Sequence, residues 1–476
     1  MKKKIIALVC TLLLIILATY GIWSYQKPAG DLYVLLHMTI KSKDATAVET
    51  FFMQQDDDGF FDEGQGYNVD KSASVAYDKG SVGKATDLVV EIPATTRALR
   101  IDPAAEADKL MSISNIYIEY EGDEITRDFY LDTLATTNDV KELSEEDGVI
   151  SVLTGSDSYL VWNVDADKTI QAVRDADYKA NTAKKIAIIV FVDALLLLIY
   201  VKRRPFMEIP LEVLHNKKLT LSLAKNDFKS RFAGSYLGIV WAFVQPIVTV
   251  VVYWFVFEKA LNAGTQATKS GINAPYVLWL IAGLVPWFYF SEAINMASNT
   301  LVEYSYLVKK VVFNISILPV VKLMSSLFVH IFFIAFMFLM YFIYGYAPTP
   351  YMLQVIYYSF AMVVLCVGFV YATSAMMVFF RDLGQIVNIL LQIGIWATPI
   401  MWNINTMTNI SPVVLVILKL NPMFYVVSGY RDALLNNIWF WEKPGMTLYF
   451  WIFTILVYMF GTTIFRKLKI HFADVL

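Results

Sequence analysis

The chain has 476 residues, of which 57% are hydrophobic and 15% aromatic, with a mean hydropathy of +0.52; this excludes an ordinary soluble protein and points to a membrane protein. The net charge of −3 hides a strong asymmetry along the chain, and no nucleic-acid partner is expected. Two cysteines, Cys10 and Cys366, lie inside apolar runs and four histidines are scattered, so neither a disulfide framework nor a metal centre is expected.

Residues 1–26 read as an N-terminal transmembrane anchor. Lys2-Lys3-Lys4 heads an apolar run from Ile5 to Tyr20, and a cleaved signal peptide is the competing reading. Ala18-Thr19-Tyr20 is a poor cleavage site and the run continues through Ile22 and Trp23, which favours retention. Residues 27–183 follow as an extracytoplasmic domain with about 31 acidic and 14 basic residues, while the rest of the chain is basic. Alternating runs such as Thr86–Ile92, Ile113–Tyr120 and Tyr159–Trp162, separated by Pro, Gly and Asp clusters, predict a mainly β fold of sandwich or jelly-roll type. Asp56-Asp57-Asp58, with Asp62 and Glu63, offers hard oxygen ligands for Ca²⁺ but lacks the EF-hand offsets, and a solvated acidic loop is the favoured reading. Phe60, Phe61 and Tyr67 are candidates for stacking on sugar rings or for the domain core.

Residues 184–204 hold a second span, Ile186 to Val201, whose Lys202-Arg203-Arg204 end belongs inside. Asp193 sits mid-span, where an ionisable group is costly unless paired. Residues 205–236 predict a cytoplasmic amphipathic helix: Leu214, Leu221 and Phe228 recur at seven-residue spacing, with Lys217, Lys218, Lys225 and Lys229 elsewhere for anionic headgroups. Within 237–476 the apolar runs predict six spans, at 237–257, 276–297, 318–343, 352–379, 385–402 and 447–465. Lys309, Lys310, Arg381 and Arg466-Lys467 fall on the inner side, giving eight spans in all with both termini cytoplasmic.

The stretch entering the first of these six spans carries Arg231, Ser235, Leu237, Gly238, Trp241 and Pro246 as R-[FY]-x-x-S-x-L-G-x-x-W-x-x-x-x-P. It resembles the permease subunit of polysaccharide-exporting ABC transporters, the ABC-2 type proteins that export teichoic acid, O-antigen and capsule-like glycans. Further matches are Leu318-Pro319, Arg381-Asp382, Ala397-Thr398-Pro399-Ile400, Leu420-Asn421-Pro422 and Tyr430-Arg431, so the likeness covers roughly residues 207 to 476. Phe313-Asn314 departs from the F-P usual in the family. The resemblance implies a coupling helix between the second and third of these spans, with Glu303, Tyr304, Lys309 and Lys310 facing an ATPase subunit. It also implies that Ser411–Leu420 and Tyr425–Leu435 re-enter the outer leaflet as short helices.

The chain has no G-x-x-x-x-G-K-[ST] loop to cradle phosphates. ATP and Mg²⁺ are therefore expected on a separate subunit, with no cofactor in this chain and no enzyme activity of its own. The resemblance implies a homodimer with two ATPase subunits, threading a lipid-linked polysaccharide through the bacterial cytoplasmic membrane. Candidates for its path are Tyr253, Trp254, Phe257, Trp287, Trp396 and Arg431; an interfacial aromatic belt is the other reading for such rings, and the favoured one for Trp439 and Trp441. Asp193 and His330 fall at depths of roughly 14 and 17 Å, close enough to pair if their helices adjoin; Ser325 and Ser326 are the alternative partners. A non-transporting scaffold or co-polymerase of glycan assembly, or an exporter of a small drug or lipid, are the competing functions.

Overall fold

A computed structural model describes residues 2–27, 29–44, 46–53, 72–77, 82–104, 106–201, 203–231, 236–260, 264–266, 274–309, 314–404 and 411–476. The acidic cluster at 56–58 with Asp62 and Glu63, and the aromatics Phe60, Phe61 and Tyr67, lie outside these residues. The chain divides into two units, residues 1–198 and 199–476, each with its own hydrophobic core.

The first unit opens with helix α1 (Lys2–Ser24) and continues through nine strands: β1 (Tyr33–Ser42), β2 (Thr46–Met53), β3 (Ser72–Tyr77), β4 (Thr86–Pro93), β5 (Ala98–Asp102), β6 (Leu110–Tyr120), β7 (Asp123–Thr126), β8 (Leu134–Glu146) and β9 (Val149–Asn163). Every recorded pairing is antiparallel, in the order β3-β2-β5-β9-β6-β1-β4, with β7 beside β6 and β8 beside β9. The expected sandwich is instead one sheet curled into a nearly closed barrel, whose terminal strands β3 and β4 approach within 8 Å at Cα. Alternation sends Val34, Leu36, Met38 and Ile40 inward from β1, and Met111, Ile113, Ile116 and Ile118 from β6, around a fully buried Trp162. Two hairpins close on left-handed pairs, Glu121-Gly122 (φ 51° and 90°) and Asp147-Gly148 (φ 51° and 72°), the turn that matches strand twist.

Helix α2 (Ala166–Val201) packs its first turns on the barrel core through Ala166, Thr169, Val173 and Ala176. Its later turns meet α1: Thr19 Oγ1 donates to Asp193 at 3.4 Å, and Lys185 Nζ donates to the Tyr25 carbonyl at 2.9 Å.

The second unit comprises α3 (Arg203–His215), α4 (Lys217–Arg231), α5 (Trp241–Trp254), α6 (Tyr276–Ser298), α7 (Thr300–Glu303), α8 (Ser305–Val308), α9 (Leu318–Ile343), α10 (Gln354–Phe379), α11 (Leu383–Ala397), α12 (Pro412–Lys419), α13 (Pro422–Arg431), α14 (Pro444–Lys469) and α15 (Phe472–Val475). Among the described residues five helical stretches are long and apolar enough to cross a membrane: Gly238–Ala260, Tyr276–Ser298, Ile315–Ile343, Pro350–Phe379 and Pro444–Lys469. The expected span at 385–402 is a correction. Helix α11 has only 15 residues and stops at Ala397, because Thr398 turns extended (ψ 127°) ahead of Pro399. A sixth span is available only if α12 and α13 with its following turn, bent 79° apart, are counted as one. The bend is fixed by Asn421, which accepts from the Met423 amide at 3.0 Å and donates to Thr398 Oγ1 at 2.7 Å, so two sequence motifs lock each other.

The amphipathic segment is likewise two helices, α3 and α4. Thr220, Ala224 and Asp227 of α4 are buried while Leu219 and Leu221 stay uncovered.

Helix α6 is the most buried span and α5 the least, with 83% and 6% of their apolar windows covered. Helices α10 and α14 pack at glycines: a Cβ on Gly461 would stand 2.1 Å from the Gly368 carbonyl oxygen. Gly461→Ala should therefore lower the thermal stability of the purified protein, by about 1–3 kcal/mol. Helix propensity alone would favour alanine by about 1 kcal/mol, so a thermal-shift assay showing stabilisation would refute the close packing.

Candidate functional site

A helix that crosses an apolar bundle gains nothing from polar side chains unless they face one another or water. On α6, Ser291, Glu292 and Asn295 share one side and open on a cavity of about 570 Å³. Helix α5 forms a second wall with Trp241, Gln245, Pro246 and Thr249, which fall at helical spacing, and α11 forms a third with Asn388 and Gln392. Asn295 Nδ2 donates to Asn388 Oδ1 at 2.6 Å, tying two walls together. Trp287 and Phe288 add ring surface. Gly394 makes room for the indole, since a Cβ there would lie 2.7 Å from Trp287.

The cavity ends at a charged anchor. Arg231, the last residue of α4, pairs with Glu292 and donates to Ser325 Oγ at 3.1 Å. One turn back, Asp227 accepts from the Tyr304 hydroxyl at 2.7 Å and meets Lys322 Nζ at 2.7 Å. Lys322, only 2% exposed, also binds Glu303 Oε1 at 2.8 Å and sits over the Tyr304 ring. Helices α4, α6, α7 and α9 are thus joined through five charged side chains. Burial pushes the Asp227 carboxyl up, but hydrogen bonds from Lys322, Ser325 and Tyr304 outweigh it and hold the group below its ordinary 3.8. The Tyr304 hydroxyl is raised, by burial first and then by its bond to Asp227.

At the other end of α6 the Arg431 guanidinium lies 3.3 Å from the Trp279 ring centroid. It donates to the carbonyls of Pro399 at 2.6 Å, Ile400 at 2.8 Å and Trp279 at 3.4 Å. Gly283 admits it, because a Cβ there would be 3.0 Å from Nη2.

Of the residues singled out from sequence, Arg231, Trp241, Pro246 and Trp287 line the large cavity. Gly238 forms a left-handed turn at φ 54° just before α5. Tyr253, Trp254 and Phe257 pack along α5 and its continuation, with Phe257 stacked on Tyr276 at 5.9 Å, and Trp396 is 57% exposed. None of these four lines that cavity. Arg431 clamps two backbone segments through three carbonyls. Glu303 and Tyr304 join the anchor, Lys309 is exposed, and Ser235 and Lys310 lie outside the described residues. Asp193 is bonded to Thr19, while His330 is buried beside the Tyr430 hydroxyl at 3.2 Å and Ser359 at 3.4 Å, so each has a partner within its own unit. Sequence reasoning passed over Asp227, Lys322, Glu292, Asn295 and Asn388. For Lys322, Glu292, Asn295 and Asn388 the signal is one or a few polar residues inside an otherwise apolar helix, the pattern that marks a polar pathway, while Asp227 sits in a polar helix and carries no such signal. Among the described residues no group of three His, Cys, Asp or Glu side chains is placed to hold a metal.

A family model described as ABC-2 type transporter matches residues 218–435. The match starts in α4 and ends just past α13, so it contains the three cavity walls and the anchor. An O-antigen export system permease protein, RfbA, of Klebsiella pneumoniae is 25% identical over 260 residues, 54% of this chain and 95% of that protein. The protein of the same name from Myxococcus xanthus is 25% identical over 263 residues, 55% of this chain and 97% of that one.

The anchor yields a stability prediction. Lys322→Met removes the buried ammonium from Asp227, which keeps Arg231 at 3.5 Å, and should cost about 3 kcal/mol, whereas adding Asp227→Asn should recover part of the loss. Because the Asp227 carboxyl is held low, its contribution is present above the ordinary 3.8 and disappears as pH falls through the lowered value. Strictly additive effects in thermal-shift measurements of the purified protein would contradict the network.

Proposed function

The chain belongs, through residues 218–435, to the ABC-2 type transporters, and from that premise we propose that it is the permease subunit of an ATP-driven exporter of a lipid-linked cell-surface polysaccharide. It is a multi-pass membrane protein and a transport subunit, and ABC-2 permeases work with an ATPase subunit. The finer assignment is carried by the cavity. Amides and hydroxyls on α5, α6 and α11 meet sugar hydroxyls, and the Trp241, Trp287 and Phe288 rings meet the apolar faces of sugars. A chain of sugars can slide on such a surface, since each contact is weak and repeated. The similarity to O-antigen export permeases supports the same substrate class.

Coupling follows from the anchor. The short α7–α8 segment presents Tyr306, 59% exposed, and Lys309 to a partner, while Glu303 holds it to Lys322. Force applied there by an ATPase reaches Asp227, Arg231 and Glu292 through direct contacts, and so reaches the cavity. Two ATPase subunits carrying ATP and Mg²⁺ serve a dimer. The second copy covers the apolar faces that α5 and α11 leave exposed, Val248, Val251 and Val252 on one and Ile389, Leu390 and Ile393 on the other. The protein resides in the bacterial cytoplasmic membrane with both termini cytoplasmic. Helices α1 and α2 add two spans, and the barrel between them lies outside, touching the emerging glycan.

Charge reversal at Lys309 and Lys310 tests this reading. With the partner ATPase, Lys309→Glu with Lys310→Glu should reduce transport-coupled ATP hydrolysis at least about tenfold, or roughly 1.4 kcal/mol of coupling, with normal membrane insertion and loss of surface glycan. Unchanged hydrolysis and unchanged surface glycan would sink the assignment.

A further inference from the structure

Trp279 lies nineteen residues before Ser298 on α6, about 28 Å at 1.5 Å per residue, and so stands at the opposite end from the coupling segment. A second cavity of about 340 Å³ opens there, between Trp279, Pro399, α13 and the start of α14. Its charged residues are Arg431, Lys419, Lys443 and Asp432, three cations to one carboxylate. The carboxylate is already engaged. Lys443 Nζ pairs with Asp432, and Asn436 Nδ2 donates to it at 2.8 Å. Lys419 is exposed on the rim and has no ion pair among the described residues.

Arg431 sets the chemistry. It is 8% exposed, and its three recorded acceptors are neutral backbone carbonyls. A guanidinium has five N–H donors, so two are left over on the side chain that walls the cavity. Taking a cation out of water costs several kcal/mol, and carbonyl dipoles together with Asp432, a carboxylate already shared with Lys443, offset only part of that. A rigid fork flanked by two ammonium groups suits a tetrahedral, multiply charged oxyanion better than a single carboxylate. Ser428 adds a hydroxyl to the same wall.

We propose that this cavity is a receptor for a phosphate-bearing group, held by Arg431 from the wall and by Lys419 and Lys443 from the rim. The group is either the diphosphate head of a lipid-linked substrate or free phosphate; only the first source rests on the export reading.

The test uses the purified full chain in dodecyl maltoside, which contains no phosphate, with radiolabelled farnesyl diphosphate as probe. Saturable binding that farnesol does not displace is expected. Lys419→Glu and Lys443→Gln should each weaken it at least about fivefold, since each removes a cation that lines the cavity. Both act at the rim, so they keep the test alive should Arg431→Leu fail to fold. Competition by inorganic pyrophosphate as strong as by farnesyl diphosphate identifies free phosphate as the ligand, and competition only by the prenylated form identifies the lipid head. Binding undiminished in both rim variants, or displaced equally by farnesol, overturns the site. ATPase coupling separates this result from the export reading: coupling intact without binding removes the receptor alone, and binding without coupling leaves the receptor and removes the exporter.

Discussion

A lysine ammonium sealed from water must take its counter-charges with it, and the charged end of the second unit is arranged around that requirement at Lys322. The side chain leaves α9 and enters a space with 2% exposure, where Asp227 of α4 and Glu303 of α7 meet it. Aliphatic packing alone lets neighbouring helices slide by a residue at small cost, but a buried ion pair shared among three elements does not, because slippage strands a charge. This explains why α4 turns its small and acidic residues, Thr220, Ala224 and Asp227, toward α9 and leaves leucines outside. Arg231 then follows one turn after Asp227 and is delivered to Glu292 at the cavity's end.

Helix α6 carries the consequences along its length. Its first turns meet the Arg431 clamp, its middle presents Trp287 and Ser291 to the polar cavity, and its last turns lead into the α7 segment. A helix with 83% of its span covered can present different chemistry at each level, because every side has a protein neighbour able to satisfy it. Helix α5, covered over only 6%, does the reverse: it commits one polar stripe inward and leaves the rest apolar.

Much of this was legible in the residues. Hydropathy located five of the eight expected spans, the two N-terminal helices not being among those long and apolar enough, and alternation located strands β4, β6 and β9. The Asp147-Gly148 pair is a hairpin signal that the backbone obeys. Barrel and sandwich, however, share one alternation and differ only in whether pairing is interrupted, which no strand reveals by itself. The run 385–402 stays apolar past Ala397, so composition could not show that Thr398-Pro399 ends the helix. Arg431 is read equally well as a ligand-facing cation or as a backbone clamp, since both uses demand a buried guanidinium. Lys322 was visible as one lysine between Val321 and Leu323; its partners, 95 and 19 residues away in sequence, were not.

Helix α5 gives the large cavity a wall whose back is apolar and left uncovered by the rest of this chain. A tunnel bored through one chain has a bore set by that chain's own packing. A trough whose outer wall is covered by its own chain over only 6% of its span instead takes its width from what packs on the outside, which in the proposed dimer is the second copy. Under the proposed export function, the same polar stripe of Trp241, Gln245 and Thr249 would face cargoes of different girth without any change in its chemistry. Tolerance of cargo size would then be a mechanical property of the bundle, separate from the recognition carried by its side chains.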